Sequence, residues 1–145
     1  MNNIEITGGK AYQRKYVESM VHYCIQKLMP RMQSLDIEVK LKTIKDDAYG
    51  YCLSTTTRDF EIEIDKSLSL RRLLTTVAHE MVHVKQYARR ELKGDYVWKG
   101  KTYNPKTTDY WDEPWEIEAH GRECGLFIRW AEKNELGKKK WTHDD

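Results

Sequence analysis

The chain is short of cysteine, proline and long apolar runs. Its three cysteines, Cys24, Cys52 and Cys124, are scattered through 145 residues with no CxxC pair. That pattern argues against a disulfide framework and a cysteine-ligated zinc ribbon, and it fits a reducing cytoplasm. No apolar run approaches the ~20 residues that span a bilayer. The N-terminal "MNNIEITGGKAYQRKY" lacks the basic-then-apolar order of a signal peptide. An excess of one charge is missing too. Twenty-five Lys and Arg against 23 Asp and Glu leave +2, too small a net charge for a strong global pull on nucleic acid. The expectation is a cytoplasmic protein without a membrane partner, and a monomer.

What is present is charge and aromatic surface. Hydrophobic residues make up 39% and charged residues 33%, so a wet surface encloses a modest core. Nine Tyr and five Trp carry much of the apolar area, which no disordered composition does. This length suits one domain. It is expected over residues 1–136, with "GKKKWTHDD" at 137–145 as a basic and polar tail.

Local periodicity predicts the elements. Between Tyr12 and Met29, Tyr16, Met20, Tyr23, Cys24, Ile25 and Leu28 recur at helical steps, and Pro30 marks the end. "LDIEVKLKTI" alternates Ile37, Val39 and Leu41 against Glu38, Lys40 and Lys42, as a half-buried strand does. "YCLSTT" and "FEIEID" read as two further strands, and short links predict an antiparallel meander. From Leu70 to about Leu92 an apolar stripe returns to the helical period, with Ser67 or Ser69 as cap. A polar-aromatic loop of roughly twenty residues follows, long enough to suggest a functional role. A last helix opens at "DEPWEIEAHG".

The second helix carries the chemistry. In "TTVAHEMVHVKQY", His79 and His83 are four apart, so they lie on one side of a helix, ~40° from each other. Two neutral imidazoles there can bind one zinc ion at about 2.0–2.1 Å. Glu80, beside them, can reach a water whose pKa zinc lowers toward ~7, take its proton and hand it to a leaving amine. The alternative is a pair of solvated histidines on a charged helix. Catalytic zinc usually takes a third protein ligand. Arg89 stands six residues after His83, where a third histidine would have marked another pattern. The next candidates are Glu116 and His120, which share a face of the last helix, while Glu118 points away and can pair with Arg122. Glu116 is the expected third ligand. His120 could orient His79 or His83, or act on the zinc water, or take the ligand place itself. Glu116 also has a plain alternative role, complementing the positive end of its helix.

His79-Glu80-Met81-Val82-His83 followed by Glu116-Ile117-Glu118-Ala119-His120 resembles the gluzincin metallopeptidases, in particular minimal gluzincins and small phage and bacterial metallopeptidases. The resemblance covers about residues 36–132. It implies a zincin-like α+β fold: an N-terminal helix, a small, mostly antiparallel three-stranded sheet, the HExxH helix and a C-terminal helix. It implies zinc held by His79, His83 and Glu116, Glu80 as general base, and a peptide or protein substrate lying extended along "FEIEID" or a neighbouring strand. Gluzincins commonly place an aspartate where His120 stands, and the chain departs from them there. "AHGRECGLFIRW" also resembles, more loosely, the third-ligand segment of SprT-like peptidases, which are associated with DNA. Lys138, Lys139, Lys140 and Trp141 would be its weak nucleic-acid footprint. Tyr103, Tyr110 and His143 are candidates for stabilising an oxyanion. Trp98, Tyr103, Tyr110 and Trp111 either line a substrate pocket or seal the core. A further alternative is a non-catalytic or latent zinc-binding module, its site blocked by His120 or by His143, Asp144 and Asp145.

Overall fold

Strand β1 (Asn3–Gly8) hands over to helix α1 (Ala11–Leu28) through Gly8 and Gly9. Gly8 has φ +77°, and a Cβ there would sit 2.1 Å from the Leu41 carbonyl oxygen, so only glycine lets the chain leave the sheet at this point. Strands β2 (Asp36–Lys42), β3 (Gly50–Ser54) and β4 (Asp59–Asp65) follow, then helix α2 (Leu70–Ala88) and short strands β5 (Leu92–Lys93), β6 (Val97–Trp98) and β7 (Lys101–Thr102). Helix α3 (Pro114–Lys133) comes next, between single 3-10 turns at Tyr110–Asp112 and Lys140–His143. This computed structural model describes residues 1–94 and 96–144. The fold is α+β, with three helices and two sheets among those residues.

The main sheet corrects the expected three-stranded antiparallel meander. It has four strands in the order β1-β2-β4-β3. β1 and β4 both run parallel to β2, and only β3 is antiparallel to its neighbour β4. Two causes account for this. The lead "NIEITG" is itself a strand, too short to declare its alternation. Residues 43–49 carry the chain past the flank of β2 instead of turning a hairpin, and β4 fills the slot between β2 and β3. Only the β3–β4 link is a tight turn. Register aligns Ile37 with Phe60, Val39 with Ile62 and Leu41 with Ile64, all buried, while Glu38, Lys40, Glu61 and Glu63 face outward. Burying each such aliphatic contributes about 1.5–3 kcal/mol.

Helices cover the inner face. α2 packs between α1 and α3 and against β3 and β4. Its stripe of Leu73, Leu74, Val77, Ala78, Met81 and Val82 is fully buried. Ser69 caps it, accepting from the Arg72 backbone N–H at 3.4 Å. The expected long loop instead folds partly into the small antiparallel sheet β5-β6-β7, with Tyr96 and Tyr103 packed on Trp115. All three cysteines are free. No described helix is long and apolar enough to cross a membrane.

The segment after Gly137 is not a loose tail. Trp141 packs among Tyr16, Phe127 and Trp130, and the Thr142 carbonyl accepts a 2.9 Å hydrogen bond from Arg71. Asp145 lies outside the described residues. Because Trp141 is only half-buried, Trp141→Ala should cost about 2 kcal/mol, below the ~3–5 of a fully buried aromatic. The measurement is the shift in urea midpoint at unchanged slope.

Candidate metal centre

α2 sends its apolar stripe into the core and leaves its flank facing α3. His79 and His83 stand on that flank, both buried, with ring centroids 4.9 Å apart. α3 starts beside them because Pro114 sets its first turn and Trp115, buried, anchors it. Glu116 then crosses to the histidines. Its Oε1 lies 3.0 Å from His79 Nε2 and 3.3 Å from His83 Nε2. The three atoms are within 4.8 Å of one another, a spacing that one ion can bridge.

The far side of each ring is also engaged. His79 Nδ1 is 3.0 Å from Glu123 Oε1, and His83 Nδ1 is 2.8 Å from Gln86 Oε1. Neutral histidines that donate from Nδ1 turn bare Nε2 lone pairs toward the Glu116 carboxylate. Three acceptors do not face one another in a buried site unless positive charge lies between them. A divalent cation fits this donor set, and a proton is the alternative. Burial by itself would lower the His79 pKa, yet its hydrogen bonds with Glu116 and Glu123 hold it up to about 10. Burial would lower the His83 pKa too, yet Glu116, Glu80 and the Gln86 hydrogen bond raise it. Glu116 is pulled well below the usual carboxylate range by both histidines, although burial opposes this.

Glu80 is different. It is 6% exposed, lines the cleft, and has no hydrogen-bond partner among the described residues. Burial pushes its pKa up, while His83 and His79 pull the other way. Cys52 lies along the same wall, its thiol raised by burial and by the nearby Glu80 charge.

His120 does not hydrogen-bond His79 or His83. Its ring packs on His79 at 4.5 Å between centroids, with Nδ1 2.7 Å from Glu123 Oε1 and Nε2 2.7 Å from Tyr110 Oη. Glu123 does the orienting of His79 that the sequence left open for His120. His79, His120 and Glu123 form a second group of ligand spacing, but Glu116 is the residue that converges with both motif histidines. Tyr110 Oη also lies 3.0 Å from Glu116 Oε1, and its single proton serves one neighbour at a time. Burial and the Glu116 charge raise its pKa.

The cleft in front of this group measures about 810 Å³. Strand β3 forms one wall through Gly50, Tyr51 and Cys52. A Cβ on Gly50 would lie 2.8 Å from the Glu63 carbonyl and 3.0 Å from Thr76 Cγ2, so its absence lets the edge strand close on α2. Of the strands expected as a rim, "FEIEID" or a neighbour, "FEIEID" is the interior strand β4, and its neighbour β3 is the edge strand that lines the cleft. Tyr110 and Trp111 line the cleft, whereas Trp98 and Tyr103 do not. Neither His143, with Nε2 2.7 Å from the Gly137 carbonyl oxygen, nor Asp144 is among the lining residues.

Sequence reasoning missed Glu123 and Gln86. Both carried a signal: Glu123 lies seven after Glu116, two helical turns along one face, and Gln86 lies three after His83. Glu118 pairs with Arg122 at 2.9 Å as expected, but it also accepts from buried Lys85 at 2.6 Å and from Gln86 at 2.9 Å.

Burial opposes ionisation of Glu118, and these donors nonetheless hold its pKa down to about 2 from an ordinary 4.5. A depressed carboxylate stabilises the fold above its unfolded pKa and loses that contribution as pH falls through the folded value. Glu118→Gln should therefore flatten the loss of stability between about pH 4.5 and 2. Denaturant midpoints measured across that range for both proteins check it.

No family model, curated protein or solved structure matches the chain, so its chemistry is read from this geometry.

Proposed function

We propose that the chain is a zinc-dependent peptidase of gluzincin type with a zincin-like fold. The observation that carries this reading is the convergence of His79 Nε2, His83 Nε2 and Glu116 Oε1 beside the unpartnered, buried carboxylate of Glu80. Those three residues would hold the ion. When bound, zinc supplies Lewis acidity that polarises a peptide carbonyl and makes water a nucleophile near neutral pH.

The protein's own groups do the rest. A substrate lies extended against the free edge of β3, pairing with its backbone. Glu80 takes a proton from the attacking water and returns it to the departing amine, a task suited to its raised pKa. Tyr110 Oη, between His120 Nε2 and Glu116 Oε1, turns its single proton from these neighbours to the carbonyl oxygen as negative charge develops. Of the three residues named for this role, only Tyr110 lines the cleft. The edge strand and the exposed Trp111 and Tyr110 favour a peptide over a small polar substrate.

One observation favours a second reading, a non-catalytic zinc module. Tyr110 Oη, 3.0 Å from Glu116 Oε1, would stand as a further oxygen donor beside the three residues that would hold an ion. The SprT-like, DNA-associated reading is weaker, because Trp141, its stacking platform, is packed on Tyr16, Phe127 and Trp130.

Elemental analysis of untagged protein should find near-stoichiometric zinc, lost in His83→Ala. Glu80→Gln should keep the zinc and lower kcat on an unstructured protein substrate by about 10²–10⁴-fold. Glu116→Ala should weaken zinc binding, and affinity equal to wild type would remove Glu116 as a ligand. Tyr110→Phe should lower kcat by about 10²-fold with KM little changed. A gain in activity instead would favour the non-catalytic module.

A further inference from the structure

Behind His83 lies a buried polar chain that the proposed reaction does not use. Gln86 is fully buried, one helical turn past His83. Its amide nitrogen is 2.9 Å from the Trp115 carbonyl oxygen and 2.9 Å from Glu118 Oε1. Both of those atoms accept and cannot donate, so both N–H bonds of Gln86 are committed and the orientation of its amide is settled. Its oxygen then has to face His83 Nδ1, at 2.8 Å. An amide oxygen only accepts, so His83 Nδ1 carries a proton. In the neutral ring the lone pair is therefore on Nε2, the atom turned toward Glu116.

The anchor of this clamp is itself held. Glu118 Oε2 receives Lys85 Nζ at 2.6 Å and Arg122 Nε at 2.9 Å. Lys85 is buried and also lies 2.9 Å from Glu91 Oε1, an ion pair without hydrogen-bond alignment. Glu118 cannot swing away from Gln86 without costing the buried Lys85 ammonium its hydrogen-bonded carboxylate, leaving it only the Glu91 ion pair. The two motif histidines are thus backed unequally: His79 by the Glu123 carboxylate, His83 by a neutral amide.

We propose that Gln86, clamped by Glu118 and the Trp115 carbonyl, is a positioning residue that holds His83 in its Nδ1–H form and so sets the affinity of the zinc site. The inference rests on the metal reading above. It goes beyond that reading by assigning the α2–α3 polar chain a role in ligand chemistry in addition to holding two helices together.

The test compares wild type, Gln86→Leu and the double exchange Gln86→Glu with Glu118→Gln. Zinc affinity is measured by competition with a chelator, and the His83 Nδ1–H proton is followed by NMR on histidine-labelled protein. Gln86→Leu should weaken zinc by about 10–100-fold and lose the exchange-protected Nδ1–H signal. The double exchange puts an acceptor back at His83 and a donor at position 118, at the expense of the bond to Trp115. It should recover both the signal and the affinity, whatever its thermal stability. Wild-type affinity in Gln86→Leu overturns the proposal, as does a double exchange that recovers the signal without the affinity. If Gln86→Leu does not fold, the double exchange decides alone. If wild type binds no zinc, the metal reading fails, and the Nδ1–H signal in metal-free protein still reports whether Gln86 holds His83.

Discussion

Two buried imidazole nitrogens and a half-buried carboxylate oxygen, all rich in electrons, are the constraint on which the rest of the centre depends. Such a group is unstable in a low-dielectric site without a cation or a proton at its centre. The surrounding residues act to hold it in place. Glu123 and Gln86 fix the two rings from behind. Glu118 fixes Gln86, and Lys85 compensates Glu118. Each member is a partner to the next, so the chain of bonds runs from the centre to the α2–α3 interface and ties the site to helix packing.

The sheet serves the same centre from the other side. A mostly parallel sheet usually has both faces covered. Here one face is solvated, with Glu38, Lys40, Glu61 and Glu63 outward, and α1 and α2 pack on the other, with α3 against α2. α2 thereby meets the sheet along β3 and β4, and β3, being at the edge, leaves its outer backbone beside Glu80 and the histidines. Gly50 allows the approach, since any side chain there would strike Glu63 and Thr76. A buried central strand could not have offered a free edge to the cleft.

The aromatic residues divide between two tasks. Trp130, Phe127, Tyr16 and Trp141 form a packed cluster outside the lining of the cleft. Tyr110 and Trp111, on a short turn just before α3, stay exposed and stack with His120. Residue type does not separate the two sets. Trp111 and Trp141 sit in similarly polar stretches, and only the path of the chain buries one and exposes the other.

By itself the sequence determined what depends on short-range period. His79 and His83 share a helix flank because they are four apart, and Glu116 sits in a first turn opened by Pro114. Ile37, Val39 and Leu41 face inward because strand side chains alternate. The tertiary structure decided everything that depends on distant partners. It placed β4 between β2 and β3, recruited β1 into the sheet and drew Trp141 into the core. It also gave Glu123, not His120, the back of the His79 ring. Local patterns report which face a residue occupies. They do not report which element comes to meet that face, because pairing is settled by loop paths and burial summed over the whole chain.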